Sequence, residues 1–185
     1  RRRQRQMCIR DKSEDKPIQF IVPEKGEEMV YPLSQHIGAP AKPLVAKGDQ
    51  VLKGQIIAEA GGFISANVLS SVSGTVKGIE PRLVANGAMV QSIIVENDGE
   101  ENAIEGFGNA RDYTKLSKEE IRNIIKEAGI VGLGGAGFPT HVKLTPKDEA
   151  AIDHVIVNGA ECEPYLTSCL LYTSDAADDG ERVDL

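Results

Sequence analysis

Several residue types that define common functional classes are scarce in this 185-residue chain. Tryptophan is absent, aromatic residues make up 4%, and the three cysteines, Cys8, Cys162 and Cys169, form no CxxC pair. Three cysteines are too few for a four-cysteine iron–sulfur cluster, and none is spaced with a histidine as zinc ligands are. Cys162 lies between two glutamates, whose charge disfavours its thiolate, so a packing role is favoured over a reactive one.

Long apolar runs and positive charge are also lacking. No stretch approaches the roughly 18 consecutive apolar residues of a membrane-spanning helix, which predicts a soluble segment with no transmembrane helix of its own. The net charge is −7, and residues 11–167 alone carry 15 basic and 23 acidic residues. An acidic body argues against nucleic acid as a partner. Residues 1–10 carry five arginines and no acid; a basic arm is one interpretation, but the abrupt change favours a foreign or disordered arm.

Residues 11–98 have the pattern of a small β domain, in which short strands alternate with glycine turns. Gly48 and Gly54 stand six residues apart around a short apolar stretch, as turn glycines do. This layout resembles the barrel-sandwich hybrid of biotinyl and lipoyl carrier domains. Those carriers need an exposed hairpin lysine, and no lysine occurs between Ala58 and Ser73, so a structural module is predicted. Unpaired His36 is expected to be a structural loop residue.

A polar linker and a helix are predicted after the barrel. Residues 99–116 are polar and rich in glycine, asparagine and aspartate, which is typical of a linker. Ser117 and Glu120 have the spacing of a capping box, and Gly129 stands where a helix over 117–128 is expected to stop. One face of that helix is apolar, formed by Ile121, Ile124, Ile125 and Ala128.

The next segment is rich in glycine, with Gly132, Gly134, Gly135 and Gly137 within six residues. A backbone nearly free of Cβ atoms can bring its N–H groups close to a flat or phosphorylated ligand. The two residues that follow Phe138, proline and threonine, predict the opening turn of a helix. Lys143, one turn into that helix, is expected to add a full positive charge where a helix N-terminus already favours anions.

Two other interpretations of this loop are open. Gly132, Gly134 and Gly137 have the spacing of a dinucleotide-binding fingerprint, but neither the preceding strand nor the acidic residue about 20 positions later is present. A glycine-rich surface turn without a ligand is the second alternative. Phe138, a large apolar side chain beside four glycines, favours a loop that faces a ligand.

A short β-branched run over residues 154–157 predicts a buried strand, against which the helix over 117–128 is expected to pack. Asn158, Glu161 and Glu163 follow its carboxyl end, where ligands bind in α/β sheets. The two glutamates alternate along an extended chain and point to opposite sides, which argues against a coupled acid pair. One could contact a ligand while the other faces a second ligand or solvent, or both could be exposed acids in a turn.

Two segments carry a family resemblance. Residues 132–144, GLGGAGFPTHVKL, and residues 157–167, VNGAECEPYLT, closely resemble the C subunit of the Rnf ion-translocating electron-transport complex. They are also similar to the flavin-binding subunit of respiratory complex I. The resemblance implies an α+β chain: a lysine-free barrel-sandwich hybrid, then the first part of an α/β flavin-binding domain over 117–167. It stops at Thr167, so residues 168–185 are expected to be a foreign or disordered tail.

The resemblance also implies cofactors and their contacts. In that wider family the glycine-rich loop and its lysine hold FMN, and the loop phenylalanine stacks near the nicotinamide of NADH. By position, the implied cofactor-binding residues are Gly132, Gly134, Gly135, Gly137, Phe138, Lys143, Asn158, Glu161 and Glu163. Phe138 and Glu163 correspond to NADH contacts. Leu133 stands where the complex I relative has arginine, and Ala160 where it has aspartate.

The implied activity belongs to a larger assembly. A relative of this kind would sit peripherally at the cytoplasmic face of the bacterial inner membrane and pass electrons between NADH and ferredoxin while ions move. Its 4Fe-4S clusters would lie beyond residue 167, its partners would be the other subunits, and ferredoxin would be reached indirectly. FMN binding by this segment alone is expected to be weak. The alternatives are a non-catalytic docking module, a carrier domain, which the missing lysine disfavours, and a cobalamin-reductase-like flavoprotein, from which the barrel-first domain order distinguishes this chain.

Overall fold

The computed structural model describes residues 22–132, 136–154 and 156. The chain divides into two compact units, and Pro23–Glu149 form one of them. This unit contains both the β domain and the start of the helical region. The predicted ends, residues 1–10 and 168–185, lie outside the described residues.

The β domain is built from seven strands in two antiparallel sheets. The strands are β1 (Glu28–Pro32), β2 (Lys42–Pro43), β3 (Gln50–Val51), β4 (Ile56–Glu59), β5 (Val68–Leu69), β6 (Gly74–Leu83) and β7 (Met89–Asn97). One sheet has the order β1-β7-β6-β3 and the other the order β2-β4-β5. Gly48 and Gly54 adopt φ of +97° and +84°, which confirms them as turn residues, because this region is freely open to glycine alone.

The core lies between the two sheets, where alternating residues of the strands point inward. Ile57 of β4 and Ile93 and Val95 of β7 are fully buried. The polar groups enclosed with them have partners: the Tyr31 hydroxyl accepts a hydrogen bond from the Ser71 N–H at 3.0 Å. Buried polar atoms with partners cost little stability, so this hydrogen bond limits the cost of enclosing the Tyr31 hydroxyl.

Part of the predicted linker packs on the barrel. Lys53 and Ala103 form a parallel bridge, supported by hydrogen bonds from Lys53 N–H to the Asn102 carbonyl at 2.9 Å and from Ile104 N–H to the Lys53 carbonyl at 3.0 Å. The Phe107 ring lies 2.5 Å from the point where a Cβ on Gly54 would stand. This turn therefore favours glycine for two reasons: the positive φ of Gly54, and the Phe107 ring in the space that a Cβ would occupy.

The helical region begins with α1 (Lys118–Glu127), which confirms the helix expected over 117–128. Ser117 and Glu120 form the predicted capping box. At the other end, Gly129 N–H bonds to the Lys126 carbonyl and Ile130 N–H to the Ile125 carbonyl, with Gly129 at φ +64°. These two bonds are a Schellman motif, which explains why the helix stops here.

The fold class predicted from sequence is confirmed. A β region of two antiparallel sheets, residues 28–97, is followed by short helices from residue 113 onward. The connection from β4 to β5, residues 60–67, contains no lysine, and its Phe63 is 76% exposed. A side chain able to carry biotin or lipoate is therefore missing from this hairpin.

Candidate functional site

The glycine-rich loop is closed at its base by a short antiparallel bridge between Val131 and Pro139. Gly132 N–H donates to the Phe138 carbonyl at 2.9 Å, and Thr140 N–H donates to the Ile130 carbonyl at 2.9 Å. The backbone groups at the neck are thus paired with each other, so the neck is fixed without help from a ligand. Residues 133–135, including Gly134 and Gly135, lie outside the described residues.

A one-turn helix, α2 (Thr140–Lys143), follows the loop, with Pro139 at its N-cap. The sequence correctly predicted a helix opening at this proline and threonine, with Lys143 one turn in. The helix ends at that lysine, so its dipole is small compared with that of a long helix. Positive charge at this position therefore comes chiefly from the Lys143 ammonium.

Gly132 and Lys143, two of the predicted cofactor-binding residues, lie close together. A Cβ on Gly132 would lie 2.9 Å from Lys143 Nζ and 3.7 Å from the Phe138 N and O atoms. No carboxylate among the described residues forms an ion pair with Lys143, and its side chain is exposed. Within the described residues, an ammonium without a carboxylate partner beside a backbone edge without a side chain suits an anionic ligand.

Two neighbouring side chains complete the described part of the site. Phe138 is half-buried. Burial lowers the pKa of His141, and the nearby Lys126 charge lowers that pKa further. His141 is therefore kept neutral to lower pH than an ordinary histidine, which leaves Lys143 as the permanent charge of α2.

One wall of the loop is the barrel itself. Ile37 N–H donates to the Ala136 carbonyl at 2.8 Å. Gly137 is buried and has φ +61°, and a Cβ there would lie 2.7 Å from the Gln35 carbonyl oxygen and 3.0 Å from His36 Cα. The glycine at 137 is thus required by this contact as well as by its φ. Sequence reasoning missed the contact because its two sides lie about a hundred residues apart.

The remaining predicted site residues, Asn158, Glu161 and Glu163, lie outside the described residues, as do Val155 and Val157 of the strand predicted over 154–157. Of that predicted strand, His154 and Ile156 are described and belong to no strand. Across residues 22–132, 136–154 and 156, no cluster of three or more His, Cys, Asp or Glu side chains could hold a metal ion. In that same part of the chain, no helix is long and apolar enough to cross a membrane.

Comparisons with known proteins match both parts of the chain. Residues 7–100 match the family described as RnfC Barrel sandwich hybrid domain, and residues 125–178 match the Nuo51 FMN-binding domain. The chain is 47% identical over 155 residues to the C subunit of the proton-translocating ferredoxin:NAD(+) oxidoreductase complex of Clostridium ljungdahlii, a match that covers 83% of this chain and 33% of that protein.

Two further relatives have similar names. The C subunit of the Na(+)-translocating ferredoxin:NAD(+) oxidoreductase complex of Acetobacterium woodii is 46% identical, with 78% of this chain and 33% of that protein covered. The C subunit of the ion-translocating oxidoreductase complex of Pseudomonas aeruginosa is 43% identical, with 77% and 18% covered. The chain therefore spans a third or less of the length of these relatives.

Proposed function

Because this chain belongs to the RnfC family, we propose that it is part of a protein that passes electrons between NADH and ferredoxin in an ion-translocating complex. The observation that carries this proposal is the closeness of Gly132 to the Lys143 ammonium, which has no carboxylate partner among the described residues, at a loop whose neck is already fixed. The names of the relatives, each the C subunit of such a complex, supply the reaction.

The chain's own residues bind and orient the cofactor. Lys143 would donate to an anionic oxygen of FMN, and Gly132, which has no side chain, would leave room beside the ammonium for that oxygen. Phe138 would stack near the nicotinamide of NADH. When bound, FMN accepts two electrons as hydride and releases them singly. On this proposal no side chain of the loop has to act as acid or base, because the flavin itself carries the electrons.

The rest of the assignment extends the same site. By resemblance, Gly134, Gly135 and Gly137 would supply loop backbone near FMN, Asn158 and Glu161 would contact the flavin, and Glu163 would contact NADH. The 4Fe-4S clusters would lie beyond residue 167, in the part of such a protein that this chain does not span. The partners are the other subunits of the membrane complex, with ferredoxin reached through them, and the location is the cytoplasmic face of the bacterial inner membrane.

Titration of FMN into a full-length subunit that contains this segment, followed by anaerobic addition of NADH, tests the proposal. We expect one FMN per subunit and loss of the oxidised flavin absorbance on addition of NADH. Lys143→Ala should weaken FMN binding about tenfold or more, since a hydrogen bond to a charged group contributes ~1.5–3 kcal/mol. Lys47→Ala, which removes an exposed turn lysine of the barrel, is the matched control.

A failure to bind FMN would favour the main alternative, a non-catalytic docking module. A full-length subunit that binds no FMN, yet still assembles with its partner subunits, would contradict flavin chemistry and favour the non-catalytic docking module. FMN that binds but is not reduced by NADH, while another flavin reductant bleaches it, would refute the NADH part alone.

A further inference from the structure

We propose that the barrel domain positions the glycine-rich loop for its ligand, with His36 as the positioning residue at the centre of the contact. The inference rests on the proposed function for the identity of the ligand, FMN. It assigns the β domain a task at the cofactor site, in addition to any role as a separate structural module.

The loop is held on the barrel on both sides. Before it, a Cβ on Gly129 would overlap the Asn67 carbonyl oxygen and lie 2.9 Å from Leu69 Cδ1, and Asn67 Nδ2 donates to the Glu127 carbonyl at 3.4 Å. After it, Gly137 lies against the Gln35 carbonyl. Both glycines allow a closer approach of two backbones than any side chain would permit. Only residues 130–136 remain between these anchors.

His36 joins two barrel segments into the wall beneath the second anchor. Its Nε2 accepts a hydrogen bond from Ala66 N–H at 3.1 Å. That nitrogen must be unprotonated to accept, so Nδ1 carries the hydrogen of the neutral ring and donates to the Ile37 carbonyl at 3.1 Å. The imidazole is 8% exposed. Because both ring nitrogens are used within the wall, none is left for a ligand or metal.

The connection from the imidazole to the loop is a single residue long. His36 fixes the Ile37 carbonyl, and the N–H of the same residue donates to the Ala136 carbonyl in the loop. A loop neck that is already held in place does not have to be ordered when a ligand binds, so less conformational entropy is lost on binding. His36 is therefore expected to affect FMN binding without touching FMN.

Hydrogen exchange of the 185-residue chain tests the positioning without any cofactor. The reporters are Gly132 N–H and Thr140 N–H, which are bonded across the loop neck. In His36→Ala and in Gly137→Ala we expect these amides to exchange about fivefold faster or more, the factor that corresponds to one lost hydrogen bond. Gly108→Ala is the matched control, because Gly108 also has positive φ but open space around its Cβ position.

A conservative replacement separates positioning from general destabilisation. In His36→Gln the side-chain oxygen can still accept from Ala66 N–H, so exchange at the loop neck should return most of the way to the wild-type rate. Exchange at the centre of β7 should be unchanged in all variants that fold. Should His36→Ala fail to fold, the comparison of Gly137→Ala with Gly108→Ala decides alone.

The same variants in the full-length subunit give the second measurement. We expect His36→Ala and Gly137→Ala to weaken FMN binding about fivefold or more and His36→Gln to restore it largely. Loop-neck exchange and FMN affinity that match those of Gly108→Ala would overturn the inference. If the wild-type subunit binds no FMN while exchange still responds to His36→Ala, the proposed function fails and the positioning of the loop by the barrel stands.

Discussion

Replacing Gly132 with alanine tests how the glycine-rich loop and Lys143 act together. The added Cβ would lie 2.9 Å from Lys143 Nζ, but 3.7 Å from its next neighbours, Phe138 N and O. The latter distance is an ordinary contact, so only the ammonium has to move. Because it ends a flexible side chain, it can move at little cost, and we expect the free energy of unfolding to change by less than ~0.5 kcal/mol.

Ligand affinity should respond far more than stability. The displaced Lys143 ammonium would lose a charge-assisted hydrogen bond to FMN, which contributes ~1.5–3 kcal/mol, so binding should weaken about 10- to 150-fold. Gly78→Ala, which adds a Cβ with no atom within 4 Å, should leave FMN affinity unchanged. If Gly132→Ala keeps its free energy of unfolding but loses FMN affinity, the role of Gly132 is in ligand binding and not in packing.

A double-mutant cycle supplies the assay. FMN is titrated into the full-length wild-type subunit, Gly132→Ala, Lys143→Ala and the double variant. If the glycine serves to leave room for the ammonium, Gly132→Ala should add little once Lys143 is gone, and the coupling free energy should be ~1 kcal/mol or more. Losses that add within ~0.5 kcal/mol, or a Gly132→Ala protein with unchanged affinity, would refute this reasoning.

Three further substitutions address the fold beneath the site. Gly129→Ala should lower the free energy of unfolding by ~1–2 kcal/mol through backbone strain and by a further ~1–3 kcal/mol through overlap with the barrel. Gly87→Ala, also at positive φ but in open space, should lower it by the strain alone. Equal losses of unfolding free energy for the two variants in urea would contradict the contact between Gly129 and the barrel. Ile93→Ala, at a fully buried position, should lower the unfolding free energy by ~2–5 kcal/mol, and a loss below ~1 kcal/mol would not fit a packed core. Ser73→Ala should raise the pKa of Asp98, because the Ser73 hydroxyl is the main cause of its lowered pKa. A lowered pKa stabilises the fold at neutral pH, a contribution lost as pH falls through the folded pKa, so an unchanged carboxyl titration by NMR would contradict the assignment.

Local signals in the sequence were sufficient for the helix and its ends. Ser117 and Glu120 stand three residues apart, and Gly129 follows the last turn directly. The capping interactions that begin and end α1 are therefore formed by residues close together in the sequence. The turn glycines at 48 and 54 are local in the same sense. The absence of a carrier lysine could also be recognised from sequence, because only the bounds of one hairpin had to be known.

Contacts between distant segments could not be read in this way. His36 was correctly expected to be a structural loop residue, but nothing near it in sequence indicates that its ring bonds to Ala66 or that the next residue bonds to Ala136. Periodicity and turn chemistry describe neighbours along the chain, whereas this wall joins segments about 30 and 100 residues apart. The shortness of α2 was also hidden, since a proline and a threonine mark where a helix begins and not how far it runs.

The most direct test is an experimental structure of a full-length subunit that contains this segment, solved with FMN bound. The account predicts a phosphate oxygen of FMN within hydrogen-bond distance of Lys143 Nζ, at most ~3.2 Å, and lying over the Cα of Gly132. FMN bound elsewhere in the protein, with Lys143 paired to a carboxylate instead, would contradict it.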